Sequence, residues 1–165
     1  MKLSDITAPV GSELDLFDER LRESMKSKVP FVDLIVRYVV KQKGKRIRPA
    51  LVLLSASACG GITESTYRGA SLVEILHTAT LIHDDVVDDA DTRRGIASVN
   101  AVWKNKIAVL MGDYMLAKGL LLSLDNDDFR FLKITSDAVR RMSEAEILQI
   151  AKSRDLDLDE ETYFR

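Results

Sequence analysis

Apolar residues recur at helical spacing from the start of the chain. The first regular stripe consists of Leu14, Phe17, Leu21 and Met25. Residues three or four positions apart lie on one face of an α-helix, so this stripe predicts an amphipathic helix packed against a core. Ser12 stands just before the stripe, and Asp15 follows three residues later. This is the spacing of a capping box, and we therefore expect Ser12 to cap the helix.

Further apolar segments have the length and periodicity of helices. They cover residues 31–40, 50–59, 63–90, 106–124 and 128–153. Pro30 and Pro49 precede the first two, where proline is tolerated at a helix start, and Thr63 or Thr66 can cap the third. The sequence shows no strand-like alternation, no internal repeat and no linker-like tract. The pattern predicts an all-α fold in which residues 1–165 belong to a single domain.

The last residues are typical of a beginning element. Residues 155–159 have the composition of a turn, and Asp159 or Thr162 could cap a new helix. The sequence stops at Arg165, before such a helix could complete two turns. We therefore expect a helical bundle that is truncated before its C-terminal helices.

Composition favours a globular chain with one sizeable core. Hydrophobic residues make up 46% and charged residues 30% of the 165 positions, and the net charge is -2. A charge so close to zero gives no electrostatic reason to expect nucleic acid or an anionic membrane as a partner. Any anion-binding site must therefore be local.

The sequence also predicts a cytoplasmic location. Residues 1–10 lack the apolar core of a signal peptide. Cys59 is the single cysteine, which fits a reducing compartment and a small buried residue. The most apolar stretch, residues 107–124, is interrupted by Asp113 and Lys118 and contains two glycines. We expect a buried helix there and no integral membrane segment.

The densest chemical signal is acidic. Five aspartates fall within residues 84–91, followed by Arg93 and Arg94. On a helix Asp84 and Asp88 lie one turn apart on the same face, where they repel each other by about 0.2–0.5 kcal/mol unless a cation lies between them. Mg²⁺ commonly takes one or two carboxylates and completes its shell with water and substrate phosphate. The spacing indicates a Mg²⁺ site, and the two arginines suit diphosphate oxygens.

An acidic run is more often the solvated end of a helix. Carboxylates late in a helix are unfavourable, however, because that end carries partial negative charge, and the apolar residues upstream predict a largely buried helix. An EF-hand calcium loop is excluded because its Asp-x-Asp-x-Asp-Gly spacing is missing. Zinc is disfavoured because His77 and His83 lack i, i+4 spacing.

A second signal is basic. Five lysines and arginines fall within residues 41–48, at a predicted helix start. Gly44 permits close backbone approach and helix N-terminal N–H groups add positive potential, so the segment can bind an anion; a solvated turn or a nucleic-acid patch are the alternatives. No P-loop spacing surrounds Gly44. His77 lies seven residues before Asp84 on nearly the same helical face, either as a satisfied core histidine or as part of the same site.

Together these motifs resemble those of the trans-isoprenyl diphosphate synthase, or polyprenyl synthetase, family. The motifs are Gly44-Lys45-Arg46-x-Arg48-Pro49, His77-Thr78-Ala79, Asp84-Asp85-x-x-Asp88 and Arg93-Arg94-Gly95. Their order and spacing agree over nearly the whole chain, including residues 100–103 and 111–114. The resemblance implies the N-terminal half of an isoprenoid-synthase-type helical bundle and a homodimer. It also implies a Mg²⁺-dependent prenyltransferase that condenses isopentenyl diphosphate with an allylic diphosphate into a longer all-trans polyprenyl diphosphate.

The resemblance implies a role for each motif. The site for isopentenyl diphosphate would consist of Lys45, Arg48, His77 and Arg94. Asp84 and Asp88 would ligate the Mg²⁺ ions that bridge to the allylic diphosphate. Arg93 would bind that same diphosphate, and Asp85 would support the ligands. No protein nucleophile is implied, and the chain offers no Ser/His/Asp or Cys/His arrangement for one.

Family members carry a second Asp-rich motif on a later helix, and this sequence ends before it. We therefore expect a 165-residue chain by itself to be inactive. A class I terpene cyclase is the alternative enzyme, although the basic segment favours a second diphosphate pocket that a cyclase does not need. Outside enzymes, the alternative is an inactive fragment or a non-catalytic subunit that binds diphosphate.

In this family the residues four and five positions before the Asp motif floor the cavity for the growing chain. Here these residues are Thr80 and Ala79. Neither is large enough to block a growing chain, so the resemblance implies a long polyprenyl product.

Overall fold

The computed structural model describes residues 2–41, 44–155 and 160. Its helices are α1 (Leu3–Thr7), α2 (Gly11–Met25), α3 (Pro30–Lys41), α4 (Ile47–Ala58), α5 (Glu64–Val87), α6 (Val99–Leu124) and α7 (Phe129–Asp155). A 3-10 turn, Ala8–Val10, joins α1 to α2, and two short strands, β1 (Thr92–Arg93) and β2 (Ile96–Ala97), lie between α5 and α6. The predicted all-α class is confirmed.

The predicted cap of the first long helix was wrong. Helix α2 begins at Gly11, so Val10 is the N-cap residue and Ser12 already lies in the first turn. The Ser12 hydroxyl donates instead to the Glu13 carboxylate, at 2.7 Å. The preceding 3-10 turn extends the helical path to Gly11, which moves the start of α2 ahead of the capping-box spacing.

The predicted cap of α5 is confirmed at Thr63. The Thr63 hydroxyl accepts from the Thr66 N–H at 3.4 Å, and the Thr66 hydroxyl accepts from the Thr63 N–H at 3.1 Å. The helix ends at Val87, three residues before the predicted end. Asp88 is its C-cap, and Asp89 has a left-handed backbone with φ 50, which the helix cannot continue through.

A β-hairpin that the sequence pattern did not predict follows α5. Strands β1 and β2 pair antiparallel, with Arg93 opposite Ile96. The loop between them consists of Arg94 and Gly95, whose φ values are 54 and 77, as a type I′ turn requires. Strands of two residues are too short to show apolar alternation, which is why the pattern gave no sign of them.

The helices of residues 1–128 enclose two buried clusters. This segment is one compact unit, and residues 129–165 form a second. The larger cluster joins α3, α5 and α6 and includes Ile35, Val36, Val39, Ile75, Ala79, Ile82, Ala108, Met111 and Met115. The smaller joins α2, α4 and α5 and includes Leu14, Phe17, Ala50, Leu53, Tyr67 and Ala70. Helix α5 contributes to both clusters, so its side chains are fixed by packing on two sides.

Helix α6 is the one described helix that is long and apolar enough to cross a membrane by length and composition, a test that core helices of soluble proteins also pass. Its buried residues include Ala108, Met111, Met115 and Gly119, spaced three or four apart and packed on α5. The Gly119 backbone approaches so closely that an added Cβ would lie 3.3 Å from Leu72 and Ile75. This packing places one face of α6 in the core, whereas only 33% of its most apolar window is buried.

Two further details differ from the predictions. The span assigned to α6 starts at Val99, where Ser98 caps it by accepting from the Ala101 N–H at 3.3 Å, seven residues before the predicted start. The backbone of Lys104 is not helical (φ 73, ψ 159), so the part of α6 that continues to Leu124 begins close to the predicted residue 106. Cys59 is exposed and not buried, because it ends α4 at the surface, beside a turn of two glycines.

The second unit is described as the single helix α7. Arg140 pairs with Asp137 at 2.8 Å and with Glu144 at 2.7 Å along one face of this helix. The predicted turn at 155–159 and the predicted caps Asp159 and Thr162 lie outside the described residues, except that Asp155 ends α7.

Candidate functional site

Both predicted metal ligands lie at the C-terminal end of α5. Asp84 lies in the last turn of the helix and Asp88 is its C-cap, and both are exposed. The Asp88 N–H donates to the Asp84 carbonyl at 2.8 Å, so the two residues are one helical turn apart, as the spacing predicted. Two carboxylates at a helix C-terminus face its partial negative charge, and a cation would stabilise this arrangement.

Asp85 and Arg93 form a buried ion pair beside these carboxylates. Asp85 is only 3% exposed. Arg93 reaches it from β1, with Nε donating to Oδ1 at 2.8 Å and a terminal N–H donating to the same oxygen. The hydrogen bonds that Arg93 donates to the Asp85 carboxylate raise the pKa of Arg93, which therefore stays charged. Removing Arg93 would leave the buried Asp85 carboxylate uncompensated, so the pair fixes the hairpin to α5.

Arg94 turns the hairpin and lies against Gly44. A Cβ added to Gly44 would come within 3.0 Å of the Arg94 guanidinium carbon and 3.1 Å of one of its nitrogens. A side chain at position 44 would displace this guanidinium. The sequence predicted that a ligand could approach the Gly44 backbone, and in the structure the Arg94 side chain lies there. This contact brings the predicted basic segment next to an arginine that follows the acidic motif.

His77 lies in the field of the same arginines. Burial lowers the pKa of the half-buried His77, and the positive charges of Arg48, Arg94 and Arg93 lower it further. The imidazole is therefore neutral near pH 7 and retains one N–H donor. The structure thus brings together His77, Arg48 and Arg94, three of the four residues predicted to bind isopentenyl diphosphate.

The remaining basic residues divide into two kinds. Lys45 is exposed, as is Arg48. Arg46 has a left-handed backbone, with φ 54, and its guanidinium donates to Asp15 at 3.1 Å and to Asp18 at 3.2 Å. These contacts tie the loop before α4 to α2. They explain why Lys45 and Arg48, on either side of Arg46, are the ones presented to solvent.

Sequence reasoning missed two residues of this region. Glu74 lies one turn before His77; burial raises its pKa, and the charges of Arg48 and Arg94 oppose that rise. Its signal in the sequence is a carboxylate within an apolar stretch. Asn100 is 8% exposed and donates to two carbonyls near the acidic turn. Periodicity alone could not have found that contact.

A cavity of about 540 Å³ opens beside the hairpin. Its walls include Phe17, Leu21, Met25, Val36, Ile75 and Met115, and Gly44, Arg46, Arg93 and Arg94 also line it. Within the described part of the chain, His77, Asp84 and Asp88 are not among its lining residues. The predicted floor residues are not either, since Ala79 is packed in the core and the Thr80 hydroxyl donates to the His77 carbonyl at 2.8 Å.

The acidic pair fits a hard cation that shares its shell with a ligand. Among residues 2–41, 44–155 and 160, no group of three or more His, Cys, Asp or Glu side chains could hold a metal by itself. Asp84 and Asp88 are exposed oxygen ligands, and Mg²⁺ characteristically combines one or two such carboxylates with phosphate oxygens. The donor set therefore fits Mg²⁺ in the presence of a diphosphate.

Known proteins are similar to this chain in sequence and in fold. The Polyprenyl synthetase family model matches residues 29–165. The all-trans-nonaprenyl-diphosphate synthase (geranyl-diphosphate specific) of Rhodobacter capsulatus is 40% identical over 162 residues, which are 98% of this chain and 50% of that protein.

Among crystal structures, a decaprenyl diphosphate synthase from Rhodobacter capsulatus has a TM-score of 0.89 at 32% identity, over 98% of this chain and 50% of that one. A polyprenyl synthase from Caulobacter crescentus CB15, complexed with calcium and isoprenyl diphosphate, has a TM-score of 0.86 at 29% identity, over 98% and 49%. The chain spans about half the length of these relatives. With its motifs in the family's order on the family's fold, this chain belongs to the polyprenyl synthetase family.

Proposed function

We propose that this chain supplies the diphosphate-binding half of a trans-polyprenyl diphosphate synthase, which joins isopentenyl diphosphate to an allylic diphosphate. The observation that carries the proposal is the hairpin after α5. It holds Arg93 against Asp85, beside the Asp84 and Asp88 carboxylates, and it holds Arg94 against Gly44 in the basic segment. One short element thus places an acidic site and a basic site next to each other, as a reaction of two diphosphates requires.

The relatives support the substrate class. The Rhodobacter capsulatus protein is named as a nonaprenyl diphosphate synthase, and the Caulobacter crescentus structure contains calcium and isoprenyl diphosphate. Prenyl diphosphate synthases are in general metal-dependent. We propose Mg²⁺ as the metal here and a long all-trans chain as the product.

Asp84 and Asp88 would hold the metal through their exposed carboxylates. A bound Mg²⁺ would supply positive charge to neutralise a departing diphosphate. The role of this chain's own residues is to orient that diphosphate: Arg93, held charged and in place by Asp85, adds a fixed guanidinium on the same side. Donors that are positioned before the reaction stabilise developing charge without further reorganisation.

The isopentenyl diphosphate would lie on the basic side of the hairpin. Lys45 and Arg48 are exposed cations there, and Arg94 offers a forked donor. The neutral His77 can donate one hydrogen bond to a phosphate oxygen, and nearby negative charge would raise its pKa again. The carboxylate of Glu74, under Arg48 and Arg94, would orient those arginines.

In the proposed reaction the allylic carbon–oxygen bond breaks and the diphosphate leaves with the electron pair. The double bond of isopentenyl diphosphate then attacks the allylic cation, and transfer of a proton from the resulting cation to an oxygen of the released diphosphate forms the new double bond. This chain's contribution to these steps is binding, orientation and exclusion of water from the reacting carbons by apolar walls.

We also propose a homodimer and a cytoplasmic location. Support for association comes from the apolar surface of α6 outside the core cluster, where Val102, Leu110 and Leu121 are 44%, 56% and 50% exposed. Exposed apolar side chains of this kind are stabilised by burial against another protein surface.

A radiolabelled elongation assay tests the proposed function. Residues 1–165 joined to the remaining half that the relatives carry, supplied with Mg²⁺, labelled isopentenyl diphosphate and an allylic primer, should yield linear polyprenyl diphosphates. Cyclised hydrocarbon formed from the primer alone would instead identify a terpene cyclase. Tight diphosphate binding without any product would identify a non-catalytic subunit.

A further inference from the structure

Asn100 links helix α6 to the end of helix α5. Its side chain is almost fully buried, at 8% exposed. Its amide nitrogen donates to the Asp85 carbonyl at 3.1 Å and to the Ala90 carbonyl at 3.1 Å. These acceptors lie 15 and 10 residues earlier in the chain, on either side of Asp88. A single amide therefore spans the acidic turn.

The orientation of this amide is determined by its two acceptors. If the amide were flipped, its oxygen would face two carbonyl oxygens, which is repulsive. In the observed orientation Oδ1 is buried without a hydrogen-bond partner among the described residues. An unsatisfied buried acceptor costs about 1–3 kcal/mol. The Asn100 amide thus leaves its oxygen unpaired while its nitrogen donates to both carbonyls of the turn.

Other hydrogen bonds also hold the segment between α5 and α6 in place. The Ala90 carbonyl also accepts from the Ser98 hydroxyl at 2.7 Å, and the Ser98 N–H donates to the Asp91 carbonyl at 3.0 Å. From the other side, the Tyr38 hydroxyl donates to the Ala97 carbonyl at 2.6 Å. The hairpin that carries Arg93 and Arg94 is thus hydrogen-bonded to the cap of α6 on one side and to α3 on the other.

We infer that Asn100 is a positioning residue for the acidic turn and the hairpin. It acts through the backbone: the Asp85 carbonyl is held by Asn100 while the Asp85 carboxylate is held by Arg93. Loss of the amide would remove one hydrogen bond from each end of the turn that carries Asp88, leaving the Asp85 carbonyl with the Ala90 N–H and the Ala90 carbonyl with the Ser98 hydroxyl. The inference rests on the proposed function for its kinetic consequence, and on the structure alone for its effect on the backbone.

The test compares Asn100→Leu, which keeps the approximate shape but removes both donors, with Asn126→Leu. Asn126 also donates its amide to a helix carbonyl, that of Leu122 at 3.0 Å, far along the chain from the acidic turn. In the elongation assay, Asn100→Leu should raise the half-saturating Mg²⁺ concentration about 10-fold, the scale for groups that orient metal ligands. Asn126→Leu should leave it within about twofold.

A second readout is independent of catalysis. Amide hydrogen exchange of the 165-residue chain should accelerate in residues 86–98 of Asn100→Leu and stay unchanged there in Asn126→Leu. If Asn100→Leu does not fold, Asn100→Ser, which keeps one hydroxyl donor, takes its place and should show a smaller change in the same direction.

Two results would overturn the inference. One is a normal Mg²⁺ requirement together with unchanged exchange. The other is a loss of activity that only follows the folded fraction, with a normal Mg²⁺ requirement, since that would make Asn100 merely structural. If the wild-type chain joined to its second half makes no prenyl product at all, the proposed function fails, and the exchange data alone decide the role of Asn100.

Discussion

The two ends of helix α5 are built in opposite ways. At the N-terminal end, Thr63 and Thr66 cap each other's backbone groups, and Glu64 lies where the helix dipole favours an acid. Glu64 pairs with Arg20. One turn on, Arg68 pairs with Asp128 at 2.5 Å. At this end of the helix, local capping satisfies backbone N–H groups, and ion pairs within the protein compensate the charged side chains.

At the C-terminal end the charges oppose the helix dipole. Asp84 and Asp88 are exposed acids in the last turn and at the C-cap, where the helix carries partial negative charge. The buried Asp85 is neutralised by Arg93 of strand β1, not by a residue of the helix itself. Such an arrangement reduces helix stability unless a cation is bound. Under the proposed function, the N-terminal end of α5 stabilises the fold and the C-terminal end binds metal and diphosphate.

The largest expected effect separates these roles at the acidic end. In the chain carrying its second half, Asp84→Ala or Asp88→Ala should lower elongation about 100-fold or more, the scale for removing one preorganised electrostatic group. The melting temperature should stay constant or rise slightly, because a carboxylate is removed from a helix C-terminus. The radiolabelled elongation assay measures the rate, and thermal unfolding measures the melting temperature.

Asp125 provides the matched control for that pair. It is an exposed C-cap aspartate of α6, so Asp125→Ala changes the same kind of helix end without touching the acidic turn. It should leave elongation unchanged. Normal turnover by either Asp84→Ala or Asp88→Ala at saturating Mg²⁺ would refute the metal assignment.

The next effect concerns the hairpin turn. Arg94 occupies a left-handed backbone position, so an alanine variant would change backbone and charge together. Asn tolerates that conformation, and Arg94→Asn therefore removes only the guanidinium. We expect the KM for isopentenyl diphosphate to rise about 10-fold and the KM for the allylic primer to change less. An equal rise in both constants would argue against a separate basic subsite.

Periodicity located the helices that pack by apolar stripes, such as α2 with Leu14 and Phe17. It failed where tertiary contacts decide the boundary. The first turns of α6, which Ser98 caps at Val99, precede a kink at Lys104, and only the part after the kink has the predicted apolar pattern. Helix α2 starts before Ser12 because the preceding turn is already helical.

For the site, motif spacing predicted which residues gather but not how they are held. That Asp84 and Asp88 share a face follows from the helical repeat alone. That Arg93 turns inward onto Asp85 depends on a hairpin with two-residue strands, which leaves no pattern in a sequence. The contact of Asn100 joins positions 15 residues apart through backbone carbonyls, which every residue type has.

An intermediate effect on stability is expected at Gly112. His83 precedes the acidic turn and fills the space beside this glycine, so that an added Cβ would lie 2.5 Å from the imidazole Cδ2. Gly112→Ala must displace His83 or separate α6 from α5, and overpacking of this kind costs about 1–3 kcal/mol. Chemical denaturation measures this loss. Gly11→Ala is the control, since nothing lies within 4 Å of a Cβ there, and equal stability of the two variants would contradict the close packing.

A smaller effect is expected at the capped end. Thr63→Ala removes the hydroxyl that accepts from Thr66 and should lower the free energy of unfolding by about 1 kcal/mol. Elongation at a temperature well below the midpoint should not change. An altered Mg²⁺ requirement in Thr63→Ala would show that the two ends of α5 are coupled and would contradict separate roles for them.

The smallest effect is a dependence of stability on pH through His77. Its pKa in the folded chain is lowered from 6.5, first by burial and then by Arg48, Arg94 and Arg93. Below pH 6.5 the unfolded chain therefore binds more protons at this residue than the folded chain does, so the free energy of unfolding decreases as pH falls through that range. His77→Gln removes this contribution while keeping a polar side chain, and the variant should lose less stability than the wild type between pH 7.5 and pH 5.5. Glu74 titrates in both proteins, so its contribution cancels in the difference. Urea denaturation at several pH values measures that difference, and parallel curves would show that His77 is not in the field of these arginines. Inorganic pyrophosphate should reduce the pH dependence in the wild type, since an anion beside His77 offsets the positive charge that lowers its pKa.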